Sequence, residues 1–335
     1  MAKTILLTGA GFTHNFGGPL ADGMWAFVFN HSKVQKQAHV KNLMLQDFDY
    51  ESIYHTILKE VNLEKFFSDK DSSADDKDAI RTAVFEAYKH LDNKLLNISS
   101  PCPNIYKVNE LIERFTSDRS EKSFFFTLNQ DLFIERHLSL SAGCKPFSYP
   151  GIKMIPDRAS NTKRKSPLEQ NDFIRLPDKN AIETLKLAFA SSKDFHYIKL
   201  HGSYGWTSSD GSDVLVIGQD KVSRINNEPL LSWFLEIFKD SLRQDDVKLL
   251  TIGYGFRDQH INQIIADSVK SNRLKLYVLS PESPKKFIDK MLKSEIGMFI
   301  VSSLSGYFQS NLLQIFPEDQ SKTEDYKKMI DSLFC

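Results

Sequence analysis

Short unbroken apolar runs, each ending in a glycine or a small polar turn, recur along this chain. Thr4–Thr8 leads into Gly9-Ala10-Gly11, Phe124–Leu128 into Asn129-Gln130-Asp131, Tyr197–Leu200 into His201-Gly202, and Lys248–Ile252 into Gly253-Tyr254-Gly255. Val214–Ile217 and Lys275–Leu279 have the same character. Runs without polar alternation predict strands covered on both faces, as in a parallel sheet. Between them lie segments that read as helices, over residues 15–30 with Trp25, Phe27, Val28 and Phe29 available for packing, and over about 228–243, 258–270 and 284–293. From about Asp47 to Arg119 the pattern is helical and rich in charge, broken at FFSDKDSSADDKDA by a segment that reads as a solvated loop. Residues 150–180, crowded with Pro, Lys, Arg, Asn and Asp, read as an irregular excursion. Strands alternating with helices predict an α/β fold: a Rossmann-like parallel sheet with helices on both faces. The economical division is a single domain over residues 1–335 with a helical insertion at about 45–120.

Composition narrows the chemistry. The 335 residues suffice to bury a core, and Lys+Arg and Asp+Glu both total 43, which gives no electrostatic reason to expect direct nucleic-acid binding. No apolar stretch approaches the ~18–20 residues that span a bilayer, and the start, MAKTILLTGAG, lacks the long apolar core of a signal peptide. A soluble cytoplasmic protein is expected. The three cysteines, Cys102, Cys144 and Cys335, are widely spaced, which suits a reducing compartment and excludes a four-cysteine zinc site. No His, Cys and carboxylate set has ligand spacing along the chain, so no metal is expected; His201 and His260 are close enough in the order of elements to approach in space, but isolated histidines are most often structural.

Four segments carry candidate chemistry, and each follows a predicted strand, where ligands of open α/β sheets bind. Gly9-Ala10-Gly11-Phe12 is a glycine turn that lets backbone approach a pyrophosphate; a purely structural tight turn reads equally well. Thr127-Leu128-Asn129-Gln130-Asp131 offers an amide that can orient a water or a ribose hydroxyl and a carboxylate that can bind a carboxamide, although helix capping explains Asn or Asp there too. His201, between Leu200 and Gly202, is placed to act as a general base, against the ordinary case of a structural histidine. Gly253-Tyr254-Gly255-Phe256-Arg257-Asp258 can hold the adenosine half of a dinucleotide against bare backbone, while Asp258 alone is also a normal helix cap.

In chain order these segments resemble the sirtuin superfamily: Gly-Ala-Gly, then Thr-x-Asn-x-Asp, then Lys-Leu-His-Gly, then a late Gly-x-Gly loop. They look most like the sirtuin-like domains of bacterial antiphage defence, with a GAGF start, Asn129, Asp131 and Glu135 in one stretch, His201 to Trp206 in another, and Gly253 to Asn262 in a third. The resemblance spans roughly residues 4–280. It implies that Gly9, Ala10, Gly11 and Phe12 meet NAD phosphates, that catalysis depends on Asn129 and His201, that Thr127 and Asp131 help seat the nicotinamide end, and that Gly253, Gly255 and Phe256 border the adenosine ribose.

Two departures mark the branch. No cysteine occurs between Cys144 and Cys335, so the four-cysteine zinc module of deacetylase sirtuins has no counterpart, and only TSSDGSD follows Trp206. Where a Pro-Asp-Phe-Arg run is usual, this chain has Gly17-Gly18-Pro19-Leu20-Ala21-Asp22, without the Arg. Both argue against acyl-lysine chemistry. The expected reaction is hydrolysis of the nicotinamide–ribose bond of NAD+ by this NADase, giving nicotinamide and linear or cyclic ADP-ribose. The alternatives are a protein ADP-ribosyltransferase and a non-catalytic NAD or ADP-ribose sensor. The resemblance further implies an effector held off until triggered, with a homo-oligomer or a HerA-type DNA-translocating ATPase as partner.

Overall fold

The computed structural model describes residues 3–59, 73–116, 122–138, 146–147, 167–191, 195–209, 221–319 and 323–334. Strand β1 (Thr4–Thr8) runs directly into the short helix α1 (Ala10–His14). Helices α2 (Ala21–Phe29), α3 (Ser32–Lys36), α4 (Ala38–Gln46), α5 (Tyr50–Lys59), α6 (Ala74–Leu96) and α7 (Ile105–Arg114) precede β2 (Ser123–Thr127). Then come α8 (Phe133–His137), β3 (Pro146–Phe147), β4 (Ile174–Arg175), α9 (Lys179–Ser191), β5 (Phe195–Lys199), β6 (Trp206–Thr207), α10 (Lys221–Asn227) and α11 (Pro229–Leu242). Strand β7 (Lys248–Ile252), α12 (Gln259–Asn272), β8 (Lys275–Ser280), α13 (Pro284–Met291), α14 (Glu295–Ser302), β9 (Leu304–Gln309), α15 (Leu312–Ile315) and α16 (Glu324–Phe334) complete the order. No helix of the described residues is long and apolar enough to cross a membrane.

Among the described residues the main sheet has seven strands in the order β3-β5-β2-β1-β7-β8-β9, with every pairing parallel. Leaving out the two-residue edge strand β3, the order in chain sequence is third, second, first, fourth, fifth, sixth. That is the dinucleotide-binding arrangement, and its order reverses between β1 and β7. The unbroken apolar runs are explained by two cores. Leu6, Phe125, Tyr197, Leu250 and Tyr277 point to the face covered by α2–α8 and α16, where Val28, Met44, Ile57, Ile80, Leu111 and Met329 pack. Ile5, Leu7, Phe126, Ile198, Leu249 and Val278 point to the face covered by α9–α14, with Ile182, Phe238, Ile265 and Phe287. Successive residues of one strand thus serve opposite layers.

The expected strands Thr4–Thr8 and Lys248–Ile252 form at those bounds, and the three helices expected in the last third appear as α11, α12 and α13. Of the helix expected over 15–30, Ala21–Phe29 forms, as α2. Gly17, with φ of +94°, and the Gly18-Pro19 pair that follows separate α1 from α2. The expected solvated break ends at Ser73, whose hydroxyl accepts from Asp76 N at 3.0 Å while Asp76 Oδ2 accepts from Ser73 N at 3.0 Å, a capping box that starts α6. Residues 74–79, expected in that loop, instead form the first turns of α6, while residues 66–72 and the strand expected at Val214–Ile217 lie outside the described residues. Of the expected excursion over 150–180, residues 167–180 are described and contain β4 and the start of α9.

Candidate active site

Register brings the four motif segments to one edge of the sheet. Thr8 is level with Thr127 on one side and Ile252 on the other, and Thr127 is level with Lys199. The next residues, Gly9, Leu128, Leu200 and Gly253, therefore leave four strands at the same height. The ladder continues one step beyond the strands: Leu128 N donates to Thr8 O at 2.9 Å, Leu200 N to Thr127 O at 2.9 Å, and Gly9 N to Ile252 O at 3.1 Å.

The two glycine turns meet backbone to backbone. Gly11 N donates to Gly253 O at 2.9 Å, and a Cβ on Gly253 would lie 2.2 Å from Phe12 N, with φ at +62° besides. A Cβ on Gly9 would lie 2.8 Å from Gly253 O. Gly9, Gly11 and Gly253 are thus glycines because the loops after β1 and β7 press together at the point where strand order reverses. Gly255 differs: its Cβ would come no nearer than 3.9 Å to Arg257 Cγ, so the turn there is bare without being crowded. Phe12 is buried between Phe16 and Phe133, and Phe256 packs on Tyr254 and Phe287, so both rings serve the core.

Beside these turns lies a solvent-open cleft with about 650 Å³ of empty space, lined by Ala10, Thr13, Asn129, Asp131 and His201 on the sheet side. Glu51 of α5, Tyr88 of α6 and residues 18–21 line the other. Asn129 Nδ2 donates to Thr13 Oγ1 at 2.8 Å, and Thr13 in turn donates to Asp131 Oδ2 at 2.9 Å. Thr127 lies just beneath: its hydroxyl accepts from Asn129 N at 3.1 Å and from Thr8 Oγ1 at 2.8 Å, which sets the turn. The chain Asn129–Thr13–Asp131 uses the amide hydrogens of Asn129, and its amide oxygen has no hydrogen bond among the described residues. Burial raises the Asp131 carboxyl above its ordinary range, opposed by Lys199, the Phe133 N–H and the Thr13 hydroxyl. Lys199, 2% exposed, reaches the carbonyl of Asp131 and Glu135 Oε1 at 2.9 Å. Tyr197 OH donates to Glu135 Oε2 at 3.3 Å.

His201 is buried at the edge of the cleft, 3% exposed, and desolvation lowers its pKa to about 3 despite the pull of Asp258. The ring is therefore neutral at physiological pH. Its Nε2 lies 3.1 Å from His260 Nε2, so one ring donates and the other accepts. Asp258 pairs with Lys221 at 2.8 Å, and Lys221 also pairs with Glu51 at 2.8 Å. Burial pushes Asp258 up, but His201, Lys221 and His260 together outweigh it and hold the carboxyl low. Glu51 moves the other way, raised by burial more than Lys221 lowers it.

Sequence reasoning named Asn129, Asp131 and His201, which the fold brings to one cleft, and Ala10 beside them. It did not find Thr13, Glu51, Lys221 or the part of Asp258 in an ion-pair chain. Thr13 follows the glycine turn and sits one helical turn from Gly9, a signal that was present. Glu51 and Lys221 are surface-type residues of distant helices, and nothing local in the sequence announces their meeting.

Comparison with known families places residues 123–297 on the model of a SIR2-like domain, a stretch that runs from β2 into the first turn of α14. A search of curated proteins found no match.

Proposed function

The chain belongs to the SIR2-like domain family, and on that premise we propose that it is an NAD+ hydrolase that cleaves the nicotinamide–ribose bond to give nicotinamide and ADP-ribose. The observation that carries this reading is the cleft at the strand-order reversal, which Asn129, held through its amide N–H on Thr13, lines together with a neutral, buried His201.

The nicotinamide of NAD+ leaves as a neutral molecule from a cationic glycoside, so no general acid is needed. What the protein must supply is orientation, a screened cleft and an acceptor for the attacking water as positive charge develops on the ribose. Asn129, fixed through Thr13, accepts a hydrogen bond from that water or from a ribose hydroxyl, and the water's proton leaves to solvent once its oxygen has bonded to the ribose. His201, neutral because burial keeps it so, accepts a hydrogen bond from a hydroxyl of the same ribose. Asp131 sits behind Thr13 and accepts its hydroxyl hydrogen, which fixes it, and the Asp131 carboxyl lines the cleft where the carboxamide of nicotinamide would lie. The bare Gly255 turn borders the adenosine ribose.

The wider role proposed is that of an NAD-depleting effector in bacterial antiphage defence, regulated by oligomerisation or by a HerA-type ATPase partner. Its support is the order and wording of the four motifs.

The test is NAD+ consumption by the purified chain, read by mass spectrometry of products, beside Asn129→Ala and His201→Ala. Free nicotinamide and ADP-ribose from the wild type, with a fall of about 10²–10³ in each variant, is the expected result. ADP-ribose attached to protein would replace the hydrolase with a transferase. Bound, intact NAD+, with candidate ATPase partners and DNA present, would replace it with a sensor.

A further inference from the structure

His201, Asp258 and His260 each bring a ligand-type atom to within 4.8 Å of the others. His201 follows β5, Asp258 is the N-cap of α12 and His260 lies in its first turn, so two strand ends converge on one point. Two imidazoles and one carboxylate form a donor set suited to a borderline divalent cation, with an open position left for water or substrate. We propose that these three side chains form a binding site for a zinc-class divalent cation, and that an ion on Nε2 of His201 leaves the ring's hydrogen on Nδ1, so that the ring no longer accepts from NAD+. The second half rests on the hydrolase reading; the first does not.

The geometry supports the site. A Zn–N bond of ~2.0–2.1 Å in tetrahedral coordination sets two ligating nitrogens about 3.4 Å apart. The observed Nε2–Nε2 separation is 3.1 Å, so a small opening of the pair admits the ion. In the ion-free form one Nε2 carries a hydrogen and donates to the other; on loading that hydrogen moves to Nδ1 of its ring, and both Nε2 lone pairs face the metal. Asp258 has two oxygens. One keeps the Lys221 ammonium at 2.8 Å while the other ligates, and Lys221 retains its second partner, Glu51. Among the described residues that ammonium is the lysine whose charge acts on both histidines, and it gives the proposal its sharpest test.

The experiment is a zinc titration of the metal-free full chain in competition with a chromogenic chelator, with the variants His260→Ala, Asp258→Asn and Lys221→Met alongside. One equivalent should bind to wild type, with at least about tenfold weaker binding in the first two variants. Lys221→Met should bind about tenfold more tightly, because removing a neighbouring positive charge favours the ion. A gain of affinity cannot come from misfolding. Magnesium and calcium, which prefer all-oxygen sites, should not compete. Equal affinity in wild type and His260→Ala, or no gain in Lys221→Met, overturns the site. In the same preparation, one equivalent of zinc should cut NAD+ consumption at least about tenfold, with recovery on adding chelator. An unchanged rate with zinc bound overturns the inhibitory half alone. A zinc-free chain that consumes no NAD+ even with candidate ATPase partners and DNA present overturns both the hydrolase reading and the inhibitory half, while the titration still decides the site.

Discussion

Asn129 and Thr13, far apart in the chain, are joined by a 2.8 Å hydrogen bond that ties the end of β2 to the helix following β1. Thr13 is 3% exposed and its one hydroxyl serves both neighbours, accepting from Asn129 and donating to Asp131. Thr13→Val keeps the shape and removes both bonds. It should lower stability by about 1–3 kcal/mol, because a buried carboxylate loses a donor. Nicotinamide release should fall with KM little changed, since Asn129 loses its anchor while the cleft keeps its walls. A variant with full kcat would show that Asn129 needs no such anchor.

Gly253 and Gly255 stand two residues apart and should respond in opposite ways to the same change. Gly253→Ala puts a methyl 2.2 Å from Phe12 N on a backbone with φ at +62°, and should destabilise the fold by at least about 3 kcal/mol. Gly255→Ala meets nothing nearer than 3.9 Å and should stay within about 0.5 kcal/mol of wild type. Its effect should be on NAD+ affinity, through the methyl added to the turn. Thermal unfolding of both variants, with NAD+ titration of the second, decides the matter; equal melting points would contradict the crowding at Gly253.

Lys199 and Glu135 are 2% and 3% exposed, and their 2.9 Å pair lies directly under Asp131. Lys199→Met leaves Glu135 buried without its cation and should cost about 3–5 kcal/mol. Adding Glu135→Gln should recover part of that loss. Urea unfolding of the two single variants and the double closes the cycle, and simple additivity would mean the pair is not coupled.

Acid should weaken the fold through two buried histidines. Burial lowers His196 to about 4 and His201 to about 3, from the ordinary 6.5. The unfolded chain takes up protons at these rings near pH 6.5, whereas the folded chain resists until far lower pH. Their contribution is therefore complete above ~6.5 and is lost as pH falls toward 4 and then 3. His196, fully buried against Phe124 and Phe189, accounts for roughly 3 kcal/mol of that slope. His196→Phe should flatten the fall in urea midpoint between pH 7 and 4, and parallel curves for the two proteins would refute this. For the same reason NAD+ consumption should show no histidine inflection near pH 6.5.

How much of this was open to the sequence depends on how local each cause is. Strands β1 and β7 were legible because burial on both faces demands an unbroken apolar run, and no other local structure writes that pattern with a glycine turn behind it. Edge strand β9 was not. Its residues are only partly buried, and Gly306 interrupts it because a Cβ there would lie 2.7 Å from Tyr277 Cδ1. Helix α16 escaped for a different reason: Tyr326, Met329, Ile330 and Leu333 make a plain helical stripe, but no motif drew the reading that far. In the site, Asn129 and His201 were visible because each ends a strand run. The Glu51–Lys221–Asp258 chain joins three helices by long flexible side chains, and its partners are settled by tertiary packing alone.

The pairing of β1 with β7 bears on how the molecule comes into being. The first strand leaves the ribosome early, yet its neighbour at the strand-order reversal is translated only after Asn129 and His201 have been made. Until Gly253 docks on Gly11, a nascent chain has Asn129 and His201 but not the strand-order reversal beside which the cleft forms. On the proposed hydrolase reading, activity toward NAD+ would thus be withheld through most of the chain's own synthesis.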